Sequence, residues 1–185
     1  FEKRKPRARE IVMLVCMISF AVIGRVIFYM TPQVKPCAAI IIITGIALGK
    51  KAGFLTGAMT AFVSNFFMGP WTPWQMVAFG LLGYIFGIAY SKRNVGSYIP
   101  KKQKNFICFM GMLATIVVYG VIMDTATVLM STDSPSVQAF ITAYTAGFIM
   151  NVIHGISTFI FLWFMLIPML KKIDRVNIKY GMYVK

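Results

Sequence analysis

The chain has 185 residues, 58% of them hydrophobic and only 13% charged, where an ordinary soluble domain carries about 25% charged residues. Nineteen basic residues face five acidic ones, for a formal net charge of +14. These values exclude a disordered chain and argue against a soluble enzyme. Because the basic residues sit between long apolar runs, they also set aside nucleic acid, the partner that so basic a chain first suggests.

Six apolar segments follow one another, and six spans of roughly 20 residues would use most of a single membrane domain covering residues 1–185. The first runs from Ile11 to Met30. Residues 1–10 ahead of it resemble the charged part of a signal peptide. The apolar run is long, however, and lacks a small-residue cleavage pattern, so it reads as a retained span. The second, Pro36 to Gly49, barely spans a bilayer, which leaves an oblique or partly re-entrant path open; Pro32 and Pro36 mark the turn before it. The third runs from Ala52 to Met68, the fourth from Gln75 to Ser91 and the fifth from Phe106 to Met130. The sixth, Val137 to Leu170, is long enough to tilt or to extend beyond the bilayer. The expected architecture is an all-α membrane bundle of six helices.

Charge sorts the connections. Seventeen of the nineteen basic residues fall in four stretches: before segment one, at Lys50 and Lys51, between segments four and five, and after segment six. The other three connections hold only Lys35, and Arg25 lies inside segment one. This alternation is what the positive-inside rule expects of six spans with both termini cytoplasmic. The basic flanks need no role beyond topology and lipid contact, with docking onto a cytoplasmic partner as the functional alternative.

Cys16, Cys37 and Cys108 are odd in number and widely spaced, which speaks against a disulfide framework and a zinc site. They read as small apolar residues. Small residues recur every fourth position at Gly53, Gly57 and Ala61, and again at Ala139, Ala143, Gly147, Asn151 and Gly155; Gly83 and Gly87 add a pair in segment four. Such stripes let helix backbones approach closely, either inside the bundle or on a sliding face against another membrane protein.

No phosphate-binding glycine loop, nucleophile elbow or zinc-binding helix motif is present. With one histidine and five acids the chain cannot build an ATP site or a conventional metal cluster by itself. Polar groups inside the spans are therefore informative, since an ionisable group in a bilayer points to function by default. Arg25 and Asp124 are both expected in the outer halves of their segments, either as a structural ion pair or in contact with a ligand. Asn151 and His154 are three apart and share a helix face. Asn65 lies near the outer end of segment three. Tyr29, Phe66, Phe67, Trp71, Trp74 and Tyr144 are expected at the same side, where an interfacial aromatic belt would also put them. The connection Gly69-Pro70-Trp71-Thr72-Pro73-Trp74-Gln75 is stiffened by two prolines, and its tryptophans suit a lid or stacking platform. Gln75 supplies a donor and an acceptor. Sparse polar groups converging at one mouth of an apolar bundle suggest a small-molecule site rather than an aqueous pore.

The stretch Gly53-Phe54-Leu55-Thr56-Gly57-Ala58-Met59, the run from Ser64 through Gly69-Pro70-Trp71-Thr72-Pro73-Trp74-Gln75-Met76, and its continuation to Gly83 resemble the substrate-binding S components of energy-coupling factor (ECF) transporters. The resemblance implies a multi-pass subunit of the bacterial plasma membrane, open to the outside. It would deliver a vitamin to a scaffold transmembrane subunit and two cytoplasmic ATPases, which use ATP and magnesium; the chain itself would hold no cofactor or metal and would not be an enzyme. The run around Trp71 and Trp74 resembles a subgroup associated with cobalamin or its precursors, so the leading ligand is a corrinoid. Asn65, Gln75, Asn151 and His154 would then bond its amides, with no cobalt ligation by His154. Riboflavin, thiamin, folate or dimethylbenzimidazole are the alternatives, and a stand-alone secondary transporter the rival class. The rival would show more intramembrane acids than Asp124, or two halves with matching broken helices. The first helix departs from the AxxxA pattern that family members commonly carry at the scaffold contact, which leaves the docking residues open.

Overall fold

In lipid every backbone N–H and C=O must be satisfied within the protein, so an apolar chain of this kind is driven to helices or a closed barrel. The computed structural model, which describes residues 8–69, 73–90, 93–131 and 135–181, contains helices and no strand among those residues. They are α1 (Ala8–Ile27), α2 (Cys37–Leu48), α3 (Lys50–Met68), α4 (Pro73–Ala89), α5 (Lys101–Ser131) and α6 (Val137–Tyr180). Each overlaps one expected segment. α5 starts before Phe106 and α6 runs past Leu170, because hydropathy marks where an apolar run stops and a helix can continue into charged sequence. α1, α5 and α6 are long and apolar enough to cross a membrane, whereas α2 and α4 are apolar but shorter.

The short second segment is explained by its position. α2 has 12 residues, about 18 Å of helix where the apolar bilayer core measures about 30 Å. It is apolar all round and buried except at Ala47, with α1, α3, α4 and α6 against it. A helix with no polar face is stable only when surrounded. α1 shows the reverse pattern. Its stripe Glu10, Met17, Ala21 and Arg25 is buried, while Val12, Val15, Phe20 and Ile27 are exposed, the surface of a helix whose outer face meets lipid.

Glycine fixes how closely the helices approach. Gly49 links α2 to α3 at φ 93°, a conformation that side chains rarely adopt. A β-carbon on Gly83 would strike the backbone of Gly53, and one on Gly45 would strike the carbonyl oxygen of Gly83. A β-carbon on Gly57 would meet the backbone of Phe79 and Gly80. The α2, α3 and α4 backbones thus touch along one seam, where no side chain can give way. In the second small-residue stripe Gly147 receives the Asp124 carboxylate and Gly155 the Ile116 side chain. The glycines of both stripes therefore serve packing inside this chain. α6, with 44 residues, is about 66 Å long. Its fully buried positions begin at His154; the half before it packs on α5 and leaves Ile141, Phe148 and Ile149 exposed.

Candidate ligand-binding site

Arg25 is placed by the buried stripe of α1, which turns it inward near the helix end, where it is 6% exposed. Its Nη1 donates to Ser64 Oγ of α3 at 2.5 Å, and Ser64 Oγ donates to the Thr60 carbonyl at 2.6 Å. The guanidinium lies 5.5 Å from the centroid of the Phe79 ring of α4. A hydroxyl and a ring face compensate a buried cation less than a carboxylate does.

The expected partner, Asp124, is engaged elsewhere. Its Oδ2 accepts from Asn151 Nδ2 at 2.8 Å, and no ion pair joins it to Arg25. The reason is local: Gly147 leaves room on α6 for the Asp124 carboxylate, so the side chain stays between α5 and α6 and does not reach α1.

Beside Arg25 lies an aromatic cluster. α5 contains a π turn, Thr115–Tyr119, which adds a residue to one turn and re-aims the side chains around it. Tyr119 is buried there, its ring 4.7 Å from Phe79 and 4.8 Å from the imidazole of His154. Gln75 Nε2 donates to Tyr119 Oη at 3.1 Å. His154 is 2% exposed, and neither of its ring nitrogens has a hydrogen-bond partner among the described residues. Arg25 Nε and Asn65 Nδ2 are likewise buried and unmet. Helices α1, α3 and α6 each bring to this end of the bundle a side chain with unused hydrogen-bonding capacity.

The connection from α1 to α2 joins the same region. Lys35 N–H donates to Ser157 Oγ of α6 at 3.0 Å, and Gln33 is held at φ 58°. Burial, and then the neighbouring charge of Arg25, push the Lys35 ammonium below its ordinary pKa. Two cations thus lie close together here, and among the described residues no ion pair relieves either of them.

Arg25, Gln75 and His154 are therefore the expected site residues found buried or half-buried around this cluster, and Asn65 is buried on α3 next in sequence to Ser64. Asp124 and Asn151 form their own pair next to it on α5 and α6. Tyr29 and Trp74 are largely exposed, and Tyr144 turns to Thr125, its hydroxyl 2.8 Å from Thr125 Oγ1. Trp71 lies outside the described residues. Ser64, Phe79, Tyr119 and Lys35 were not singled out from sequence. Ser64 lay beside Asn65, and Lys35 was the lone basic residue of its connections, a usable signal. Phe79 and Tyr119 had none, being aromatics within apolar runs. Among the described residues no three His, Cys, Asp or Glu side chains gather as a metal site would require.

A family model described as "ECF-type riboflavin transporter, S component" matches residues 7–170. No curated protein and no solved structure matches the chain.

Proposed function

The chain belongs to the S-component family of ECF-type transporters, and from that premise we propose that it captures a vitamin at the end of the bundle where Arg25, Asn65 and His154 lie. The observation that carries this reading is the set of unmet buried nitrogens on those three residues. Each unsatisfied buried polar group costs about 1–3 kcal/mol, and a ligand that bonds them recovers that cost on binding. Two adjacent cations and an amide donor call for a ligand rich in acceptors, and Phe79 with Tyr119 calls for an apolar ring surface.

A flavin has both. Its flat ring system carries carbonyl and ring-nitrogen acceptors for Arg25 and Asn65, and the printed name of the matching family agrees with it. His154 can donate from one ring nitrogen and accept at the other, which suits an imide or a hydroxyl. The topology we propose is six spans with both termini cytoplasmic, supported by the alternation of basic connections. The binding end would then face outward, and the ligand would pass to a scaffold subunit driven by two ATPases that use ATP and magnesium. In this reading the chain contributes recognition and no catalysis.

A corrinoid is the second reading, favoured by the run around Trp71 and Trp74. The exposed outer halves of α5 and α6 would have to cover it.

Titrating the purified chain with riboflavin, and following flavin fluorescence, tests the first reading. Saturable quenching that is lost in His154→Phe is expected. Binding of cobalamin and cobinamide without riboflavin would replace the ligand, and binding of neither would overturn the site.

A further inference from the structure

At the opposite end of the bundle, the connection before α5 folds against the C-terminal part of α6 and forms with it an open-sided cavity of about 560 Å³. Its walls are mostly apolar: Ile99, Ile167, Leu170 and Ile178. Its rim is basic. Lys171, Arg175 and Lys179 recur every fourth residue, so they form one row along α6, and all three are exposed. Asp174 also lines the cavity, but its carboxylate is already held by Arg93. Arg93 Nη1 donates to Oδ1 at 3.1 Å, and Nη2 pairs with Oδ2. The row of cations is thus left uncompensated by the one acid of the cavity.

The height of the cavity is set by the sequence. The apolar run of α6 ends at Leu170 and its charged run begins at Lys171, so the cavity straddles the level at which hydrocarbon gives way to headgroups. An apolar pocket that opens at this level under a row of cations fits a molecule with an acidic head and an aliphatic body. We propose that it binds the phosphate and upper acyl chain of one anionic phospholipid, with Lys171, Arg175 and Lys179 on the phosphate and the isoleucine-lined wall on the chain. The lipid would tie the connection before α5 to α6 from the membrane side, next to the Arg93–Asp174 pair. This site is independent of the vitamin site at the other end.

Native mass spectrometry of the full chain, released from bilayer discs containing phosphatidylglycerol or phosphatidylcholine, tests it, with melting curves alongside. One retained phosphatidylglycerol, a raised Tm with that lipid alone, and loss of both in K171Q/R175Q/K179Q are expected. K101Q/K102Q removes exposed charges that do not line the cavity and should retain the lipid. Ile167→Trp keeps every charge but fills the pocket, and it should lose the bound lipid while still folding. Equal retention of phosphatidylcholine would overturn the proposal, as would equal loss in the Lys101/Lys102 variant. Equal stabilisation by inorganic phosphate would move the site to a free anion. Stabilisation by a soluble polyglutamate with none by phosphatidylglycerol would assign the surface to an acidic protein segment, and it too would overturn the lipid.

Discussion

Two buried arginines sit at opposite ends of this bundle and are treated differently. Arg93 meets Asp174 with both of its terminal nitrogens, in the geometry that best matches a guanidinium to a carboxylate. Arg25 meets a serine hydroxyl and the face of Phe79 in place of a carboxylate, with Lys35 near enough to add to its charge. The first cation has its carboxylate and belongs to the fold. The second costs stability as it stands and would gain from a partner that arrives later, as the proposed binding site requires.

The glycine seam, like the Arg93 pair, belongs to the fold, and substitution there should have the largest effect. Gly83→Val puts a branched side chain into the Gly53 backbone, which cannot move aside. The chain should fail to accumulate as a monodisperse species in detergent; a folded Gly83→Val protein would break the seam account. Arg93→Met comes next. It leaves Asp174 buried and unpaired, a loss of about 3–5 kcal/mol, which a lowered Tm should register with riboflavin affinity unchanged. Arg25→Met should do the opposite. Removing a poorly compensated cation should leave the ligand-free Tm level or raised, while affinity falls by about tenfold to a hundredfold, the worth of a charged hydrogen bond of about 1.5–3 kcal/mol.

The smallest effect is that of pH on Lys35. Its pKa in the folded chain lies below the ordinary lysine value of 10.5, so the folded state sheds its proton first. Between those two values the unfolded state binds more protons, and stability rises with pH. A melting series on the alkaline side should show this rise and lose it in Lys35→Met. The same slope in the variant would assign it to other groups.

Much of the fold was legible because burial in lipid leaves a strong mark on composition. The six helices follow the apolar runs, and the seam follows Gly53, Gly57 and Gly83. The short α2 was legible in length but not in role, since its surroundings are made by residues far along the chain. The candidate site was legible only in part. Arg25, Asn65, Gln75 and His154 stood out as polar residues in apolar surroundings. The partners of Arg25 did not, because Ser64 is 39 residues away and Phe79 looks like any other core aromatic. The π turn that sets Tyr119 was invisible, since a single added residue in a helical turn leaves no mark on hydropathy. The Arg25–Asp124 pairing failed for a related reason. Opposite charges at similar depth attract in principle, but Asp124 finds Asn151 on the helix it already packs against.

The most direct test compares melting curves of the parent chain and Arg25→Met, with and without riboflavin. A ligand that binds only the folded chain adds about 2.7 kcal/mol at a hundredfold excess over its Kd. The expected result is a riboflavin-dependent rise in Tm for the parent, a clearly smaller one for the variant at the same riboflavin concentration, and ligand-free curves that coincide or favour the variant. A variant that melts well below the parent without ligand, yet keeps the full riboflavin shift, would show Arg25 to be a structural residue like Arg93 and would contradict the site.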